Sequence, residues 1–130
     1  MESPLPQQKI ILIIDDEVQL LDIVKTVLEG EGYRVLTTAN PFEGVELYRQ
    51  HWQSIALVVS DFRMPEMTGG EVLERLKSIN PNVAMLLVTG SHDFVVKALF
   101  DRGLAGLLWK PFRLDELVMR VKEFVDNSAR

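Results

Sequence analysis

Three nearly continuous apolar runs constrain the fold of this chain more than any other feature. They are IILII at residues 10–14, IALVV at residues 55–59 and AMLLV at residues 84–88. A strand with one face in water alternates apolar and polar side chains, whereas these runs have no polar face. They therefore predict strands that are covered by helices on both faces, as in a parallel sheet.

Segments with a helical period separate these strands. The predicted strands are residues 9–14, 34–38, 56–60, 84–89 and 106–109, and the predicted helices are residues 18–30, 70–79, 93–102 and 114–126, with one more beginning near Pro41. Five strand-and-helix units joined by right-handed crossovers predict an α/β fold with an open, doubly wound sheet.

The stretch NPFE at residues 40–43 marks the start of the second helix. Asn40 is a preferred capping residue, and Pro41 suits the first helical turn. Glu43 stands where the acid of a capping box would reach back toward the cap. This pattern predicts a capped helix start at Asn40.

Length and charge limit the classes of function. The 130 residues suit one domain, expected at residues 9–127 between a flexible lead at residues 1–8 and a short end at residues 128–130. A formal net charge of -5 without a basic cluster argues against nucleic-acid binding. There is no cysteine, no signal-peptide pattern and no apolar run near the roughly 18 to 20 residues of a membrane span. We therefore expect a cytoplasmic protein with no membrane segment.

Chemically useful side chains follow four of the five predicted strands. They are Asp15 and Asp16 after the first strand, Asp61 after the third, Thr89 at the end of the fourth and Lys110 after the fifth. Ligands of such sheets bind beyond the carboxyl ends of the strands. Three acids, one hydroxyl and one ammonium are therefore expected to converge on one pocket.

Three neighbouring carboxylates need a cation or must take up protons. Two unit charges about 4 Å apart repel by roughly 4 kcal/mol at an effective dielectric constant near 20. Mg²⁺ prefers oxygen ligands, binds through a few carboxylates and leaves room for a phosphate. The sequence therefore predicts a Mg²⁺ site at Asp15, Asp16 and Asp61.

Four motifs, taken in their order along the chain, resemble those of the receiver domain of two-component response regulators, the CheY-like family. The motifs are DD at residues 15–16, DFRMPEMTGG at 61–70, TG at 89–90 and KPF at 110–112. The resemblance covers residues 9–126. It implies the flavodoxin-like (βα)5 sandwich with strand order 2-1-3-4-5.

The resemblance also implies a role for each site residue. Asp61 matches the phosphoacceptor, which takes a phosphoryl group from a phosphohistidine of a histidine kinase or a phosphotransfer protein. Asp15 and Asp16 match the acids that hold Mg²⁺, together with Asp61 and the backbone carbonyl of Arg63. Thr89 and Lys110 match the hydroxyl and the ammonium that contact phosphoryl oxygens.

Three further features follow from the resemblance, two of them close to Lys110. The bond between Lys110 and Pro111 is cis in similar proteins. The position three before the lysine is usually aromatic, and here it is Leu107, so an aromatic switch cannot operate there. Thr68 replaces the usual Asp or Asn before Gly69, which predicts a modest change in the hydrogen bonds of that loop.

Trp109 is predicted to share a strand face with Leu107, because the two residues alternate. If Trp109 is exposed, it is a candidate anchor for a partner on the face around the fourth and fifth strands, which phosphorylation would switch. Burial of Trp109 under the last two helices is the alternative.

The leading interpretation is a signalling switch rather than a turnover enzyme. No output domain is expected after Asn127, so the output would belong to a partner or to another part of a longer protein, and a phosphorylation-dependent homodimer is compatible with the resemblance. One alternative is an aspartate-nucleophile phosphatase of the haloacid dehalogenase type. That family requires Asp-x-Asp after its first strand, whereas Glu17 stands two residues after Asp15. Another alternative is a receiver-like interaction module that works without phosphorylation.

Overall fold

The computed structural model describes residues 9–90 and 94–128, so the predicted lead at residues 1–8 lies outside the described residues. Strands and helices alternate along the chain. The elements are β1 (Ile10–Ile14), α1 (Val18–Gly30), β2 (Arg34–Thr38), α2 (Pro41–His51), β3 (Ile55–Asp61), α3 (Gly69–Ile79), β4 (Met85–Thr89), α4 (Phe94–Asp101), β5 (Gly106–Trp109) and α5 (Leu114–Ser128).

The five strands form one parallel sheet in the order β2-β1-β3-β4-β5. This confirms the predicted doubly wound α/β fold and the strand order implied by the resemblance. Ile14 at the end of β1 pairs with Thr38 on one side and with Ser60 on the other. The carboxyl ends of the strands therefore lie along one edge of the sheet, where the site residues follow.

Apolar layers cover both faces of the sheet. All five residues of β1 are buried, and their side chains alternate between two clusters. Ile10, Leu12 and Ile14 join the cluster that includes the buried residues of α3. Ile11 and Ile13 join the cluster that includes the buried residues of α1 and α5. Burial on both faces explains why the strand has no polar residue.

Element ends differ from the sequence predictions by one or two residues. Strand β3 begins at Ile55 and continues through Asp61, because Ile55 pairs with Ile10 and Asp61 pairs with Val88. Helix α5 continues to Ser128, two residues beyond its predicted end. The predicted first residue of the fourth helix, position 93, lies outside the described residues.

The start of α2 has the predicted cap but a different role for its acid. The side chain of Asn40 accepts hydrogen bonds from the N–H groups of Phe42 at 2.8 Å and Glu43 at 3.4 Å. The capping-box role predicted for Glu43 is wrong. The N–H group of Asn40 donates instead to Thr38 Oγ1 at 3.1 Å, and the Glu43 carboxylate accepts the hydroxyl of Thr38.

Within the two described stretches, none of the helices has both the length and the apolar character needed to cross a lipid bilayer.

Candidate functional site

Three carboxylates meet at the carboxyl edge of the sheet. Asp15 follows β1, and its N–H group donates to the carbonyl of Thr38 at 3.1 Å. Asp61 is the last residue of β3 and pairs with Val88 of the next strand. One carboxylate oxygen each from Asp15, Asp16 and Asp61 lies within 4.8 Å of the other two. Asp15 and Asp61 are buried, whereas Asp16 is exposed.

Burial makes ionisation of the two inner acids unfavourable. Burial raises the pKa of Asp15 to about 6, and the charge of Asp61 adds to this effect, while the N–H group of Glu17, 2.9 Å from Asp15 Oδ1, opposes it. Burial also raises the pKa of Asp61, against the opposing charge and hydrogen bond of Lys110. A bound cation would relieve both groups, because it favours their charged forms.

Lys110 supplies the positive charge of the site. Its Nζ donates to Asp61 Oδ2 at 3.2 Å and lies 3.9 Å from Glu17 Oε1. Burial lowers the pKa of Lys110, but the charge and hydrogen bond of Asp61, together with the charges of Asp15 and Glu17, raise that pKa above its ordinary value. The peptide bond between Lys110 and Pro111 is cis, which confirms the expectation from the resemblance.

Thr89 closes the site on the side of β4. It is the last residue of β4, and only 2% of it is exposed. Its carbonyl accepts the N–H group of Lys110 at 2.9 Å, which ties the ends of β4 and β5 together. Thr89 lines an open cavity of about 360 Å³ whose other lining residues are Asp16, Glu17, Asp61, Arg63, Gly90 and Lys110.

The structure therefore brings together the side chains predicted from the strand ends. Asp15 contributes to the carboxylate cluster, while the other four predicted side chains line the cavity. Arg63 also lines this cavity, although the role predicted for its backbone carbonyl stays a prediction. Glu17 was not predicted as a site residue. The signal that could have found it is the third acid of the motif DDE, which starts α1 directly after the site.

The loop after Asp61 is held by a capping box that the sequence analysis did not predict. The hydroxyl of Thr68 accepts the N–H group of Glu71 at 3.2 Å, and the Glu71 carboxylate accepts the N–H group of Thr68 at 3.2 Å. The N–H group of Gly69 donates to the carbonyl of Phe62 at 2.8 Å. A Cβ atom on Gly69 would lie only 2.9 Å from the carbonyl oxygen of Asp61, so glycine lets the loop approach the strand.

The edge strand β5 presents the predicted tryptophan to solvent. Trp109 is 40% exposed, so its predicted alternative, burial under the last two helices, is wrong. Leu107 is half-buried against the core cluster that contains β1 residue Leu12. Arg120 of α5 donates through Nη1 to the carbonyl of Leu107 at 2.7 Å. This contact links α5 to the strand that precedes Lys110.

The donor set fits a magnesium ion. The clustered groups are all carboxylates, the hard oxygen ligands that Mg²⁺ prefers. An open cavity beside them has room for water and phosphate oxygens, which Mg²⁺ retains in its coordination shell. Burial raises the pKa of both Asp15 and Asp61, and a bound cation would offset this effect because it favours the charged carboxylates.

Comparisons with known proteins find one family. The family model described as the response regulator receiver domain matches residues 11–122. The transcriptional regulatory protein ZraR of Klebsiella oxytoca is 35% identical over 124 residues, which are 94% of this chain and 27% of ZraR. The chain spans about a quarter to a half of the length of the curated relatives it matches.

Solved structures agree with this match. A receiver domain protein from Clostridium thermocellum is 30% identical, with a TM-score of 0.85 over 93% of this chain and 97% of the other. The CheX–CheY–BeF3–Mg²⁺ complex from Borrelia burgdorferi contains a chain that is 25% identical. Its TM-score is 0.81 over 88% of this chain and 87% of the other.

Proposed function

Because this chain belongs to the response regulator receiver domain family, we propose that it accepts a phosphoryl group on Asp61 and acts as a signalling switch. The observation that carries this proposal is the environment of the Asp61 carboxylate. Its Oδ2 atom lies 3.2 Å from Lys110 Nζ, and one of its oxygens lies within 4.8 Å of an oxygen of both Asp15 and Asp16. A nucleophile, a positive charge and a set of metal ligands therefore meet at one cavity.

The proposed reaction transfers the phosphoryl group from a histidine nitrogen to an aspartate oxygen. An Asp61 carboxylate oxygen attacks phosphorus, the P–N bond of a phosphohistidine breaks, and the bonding electron pair returns to the imidazole nitrogen. The product is an acyl phosphate on Asp61 and a free histidine on the donor. The phosphoryl group stays on this chain, so the chain is a switch and not a turnover enzyme.

Lys110 and Thr89 are proposed to hold the phosphoryl oxygens. Phosphoryl transfer depends on positioning and on charge stabilisation more than on covalent help from the protein. The Lys110 ammonium is already beside Asp61, and Thr89 lines the same cavity. One ammonium and one hydroxyl thereby serve two of the peripheral oxygens.

We propose that Asp15, Asp16, Asp61 and the backbone carbonyl of Arg63 would hold a magnesium ion at this cavity. When bound, the ion would supply positive charge that offsets the charge of the phosphoryl group. The carboxylate cluster supports this assignment, as does the presence of Mg²⁺ in the related Borrelia burgdorferi complex.

The phosphodonor is proposed to be a histidine kinase or a phosphotransfer protein in the cytoplasm. The relatives include transcriptional regulatory proteins two to four times as long as the matched part of this chain. We therefore propose that the output lies in a partner or in another part of a longer protein. Exposed Trp109, beside Leu107 on β5, is the proposed anchor of the output face.

The phosphatase alternative has no support at this site. Glu17, which occupies the position of its second motif acid, contacts Lys110 and lies outside the cluster of three carboxylates. The alternative of an interaction module without phosphorylation predicts that Asp61 stays unmodified. The next experiment separates it from the proposed switch.

Incubation with acetyl phosphate and Mg²⁺, followed by intact-mass measurement, tests the proposed function. The wild-type chain is expected to gain one phosphoryl group, and Asp61→Asn is expected to gain none. The matched control is Asp22→Asn, which removes an exposed acid from α1 and should be phosphorylated like the wild type. An unmodified wild-type chain would support the interaction module instead.

A further inference from the structure

The side chain of Glu17 is not used to cap the helix that it starts. Glu17 is the N-cap residue of α1, but its carboxylate makes no capping hydrogen bond. Its backbone is held on both sides instead. The N–H group donates to Asp15 Oδ1 at 2.9 Å, and the carbonyl accepts the N–H groups of Leu20 and Leu21 at 3.1 and 3.2 Å.

From this backbone position the Glu17 carboxylate reaches the edge of the site. Glu17 Oε1 lies 3.9 Å from Lys110 Nζ, and Glu17 lines the cavity that contains Asp61 and Thr89. Among the described residues, the cluster of possible metal ligands consists of three aspartates and does not include Glu17. Glu17 therefore lies on the lysine side of the site.

We propose that Glu17 competes with the phosphoryl group for Lys110 and thereby limits the rate at which Asp61 is phosphorylated. This inference rests on the proposed function of Asp61. In the unphosphorylated protein the Lys110 ammonium is shared between Asp61 at 3.2 Å and Glu17 at 3.9 Å. An incoming phosphoryl anion must take this ammonium from Glu17 and must also approach the Glu17 charge.

The size of the effect follows from the charge that Glu17 carries. Its side chain is 66% exposed, so water screens most of its field. One unit charge about 4 Å from another contributes about 1 kcal/mol in water, which corresponds to about a fivefold change in rate. Removal of this one charge should therefore speed phosphorylation by about fivefold, without a new contact to the phosphodonor.

Phosphorylation rates with acetyl phosphate test the proposal at low ionic strength and saturating Mg²⁺. In this reaction Asp61 attacks phosphorus, the P–O bond to the acetyl group breaks, and acetate leaves with the electron pair. Glu17→Gln should react about fivefold faster than the wild type, and Glu17→Lys faster still. Glu29→Gln is the matched control, because it removes the same charge from the other end of α1, where Glu29 pairs with Lys25 at 3.8 Å. Its rate should be unchanged.

Two further readouts distinguish a charge effect from a structural or metal-binding role. In about 1 M NaCl the screening length falls to about 3 Å, so the difference between Glu17→Gln and wild type should shrink markedly. The Mg²⁺ affinity measured by calorimetry should fall by no more than about fivefold in Glu17→Gln, as expected for the loss of one screened charge. An unchanged or slower rate in Glu17→Gln, or a much larger loss of Mg²⁺ affinity, would overturn the proposal. If the Glu17 proposal fails but the wild type is phosphorylated normally, the proposed function of Asp61 still stands. If none of the proteins forms a phosphoryl adduct, both the Glu17 proposal and the proposed function of Asp61 are overturned.

Discussion

Asp15 shows how a single buried acid can favour metal binding at the expense of stability. Burial raises its pKa to about 6 from an ordinary value of 3.8. The pKa of Asp15 is higher in the folded state than in the unfolded state, so protonation of Asp15 stabilises the folded protein. This stabilisation is fully present below about pH 3.8 and is lost as the pH rises through about 6. A cation near Asp15 would restore that stability at neutral pH.

Asp15→Asn is therefore expected to stabilise the metal-free protein. At about pH 7.5 the free energy of unfolding should rise by about 1 to 3 kcal/mol, and at about pH 5 the gain should be about 1 kcal/mol smaller. Urea unfolding at the two pH values measures both quantities. Asp22→Asn, an exposed change on α1, should stay within about 0.5 kcal/mol. A destabilised Asp15→Asn protein would contradict this account of the site.

Mg²⁺ should raise the melting temperature of the wild-type protein more at about pH 7.5 than at about pH 5, because protons compete with the ion for Asp15. The same titration of Asp15→Asn should show a much smaller rise. Thermal melts with Mg²⁺ measure this rise, and melts in a buffer that contains a chelator provide the metal-free reference. An equal rise at both pH values would argue against Asp15 as a ligand.

The sequence predicted the positions of site residues that directly follow strands, but it did not predict the position of Glu17, which is the N-cap residue of helix α1. Asp15, Asp61 and Lys110 could be placed because the carboxyl ends of parallel strands share one edge. The motif DDE marks Glu17 as a third acid near the site. Its contact with Lys110 could not be predicted, because that contact depends on where α1 begins and on the hydrogen bond between the N–H group of Glu17 and Asp15.

The loop between β3 and α3 directly follows Asp61, the proposed phosphoacceptor. Thr68 and Glu71 form reciprocal hydrogen bonds at the start of α3. Gly69 allows that helix start to lie against the carbonyl of Asp61. This loop, which also contains Arg63, therefore packs directly against the end of β3 at Asp61.

Thr68→Ala should destabilise the protein by about 1 kcal/mol, because it leaves the N–H group of Glu71 without its capping partner. Ser78→Ala is the matched control. It removes another exposed hydroxyl of α3 that bonds only to the carbonyl of Arg75, and its effect should be below about 0.5 kcal/mol. Chemical unfolding of both variants measures the difference. Equal effects would show that the capping box contributes nothing.

Gly69→Ala should destabilise the protein by about 1 to 3 kcal/mol. The added Cβ would lie 2.5 Å from Leu87 Cδ1 and 2.9 Å from the carbonyl oxygen of Asp61. Gly30→Ala is the control, since a Cβ on Gly30 meets nothing within 4 Å at the end of α1. That change should be neutral or stabilise by up to about 0.5 kcal/mol. Similar unfolding midpoints for the two variants would contradict the close approach at Gly69.

Among the elements, the predicted bounds of β2 and β5 match the structure, at Arg34–Thr38 and Gly106–Trp109. Strand β3 was predicted too short because a charged residue after an apolar run looks like a boundary. Asp61 nevertheless pairs with Val88, and its side chain has a partner in Lys110. The sequence of β3 alone does not reveal that Asp61 contacts Lys110, which follows β5.

The molecule as a whole separates its chemistry from its proposed output face. The site occupies the carboxyl edge of the sheet, while Trp109 is exposed on the edge strand β5. Lys110 directly follows Trp109 in the chain, so a movement of the lysine toward a phosphoryl group would also affect this face. The doubly wound fold could be predicted because apolar runs and helical segments alternate along the chain. The exposure of Trp109 could not be predicted, because it depends on how the helices pack around β5.

Trp109→Ala should leave stability nearly unchanged and weaken binding of the output partner. Trp109 is 40% exposed, whereas its neighbour Leu108 is 4% exposed and belongs to the core. Leu108→Ala should therefore cost about 2 to 5 kcal/mol of stability, while Trp109→Ala should cost less than about 1 kcal/mol. Unfolding measurements and a binding assay with the phosphorylated protein separate the two roles. Lowered stability with unchanged partner affinity in Trp109→Ala would contradict the proposed output face.

We propose that, of the three neighbouring carboxylates, only Asp61 receives the phosphoryl group. Borohydride reduction after treatment with acetyl phosphate and Mg²⁺ converts a phosphorylated aspartate into homoserine, and peptide mass spectrometry then locates the change. We predict homoserine at position 61 alone, with conversion that requires Mg²⁺. Conversion at Asp15 or Asp16, or no conversion at Asp61, would contradict the account.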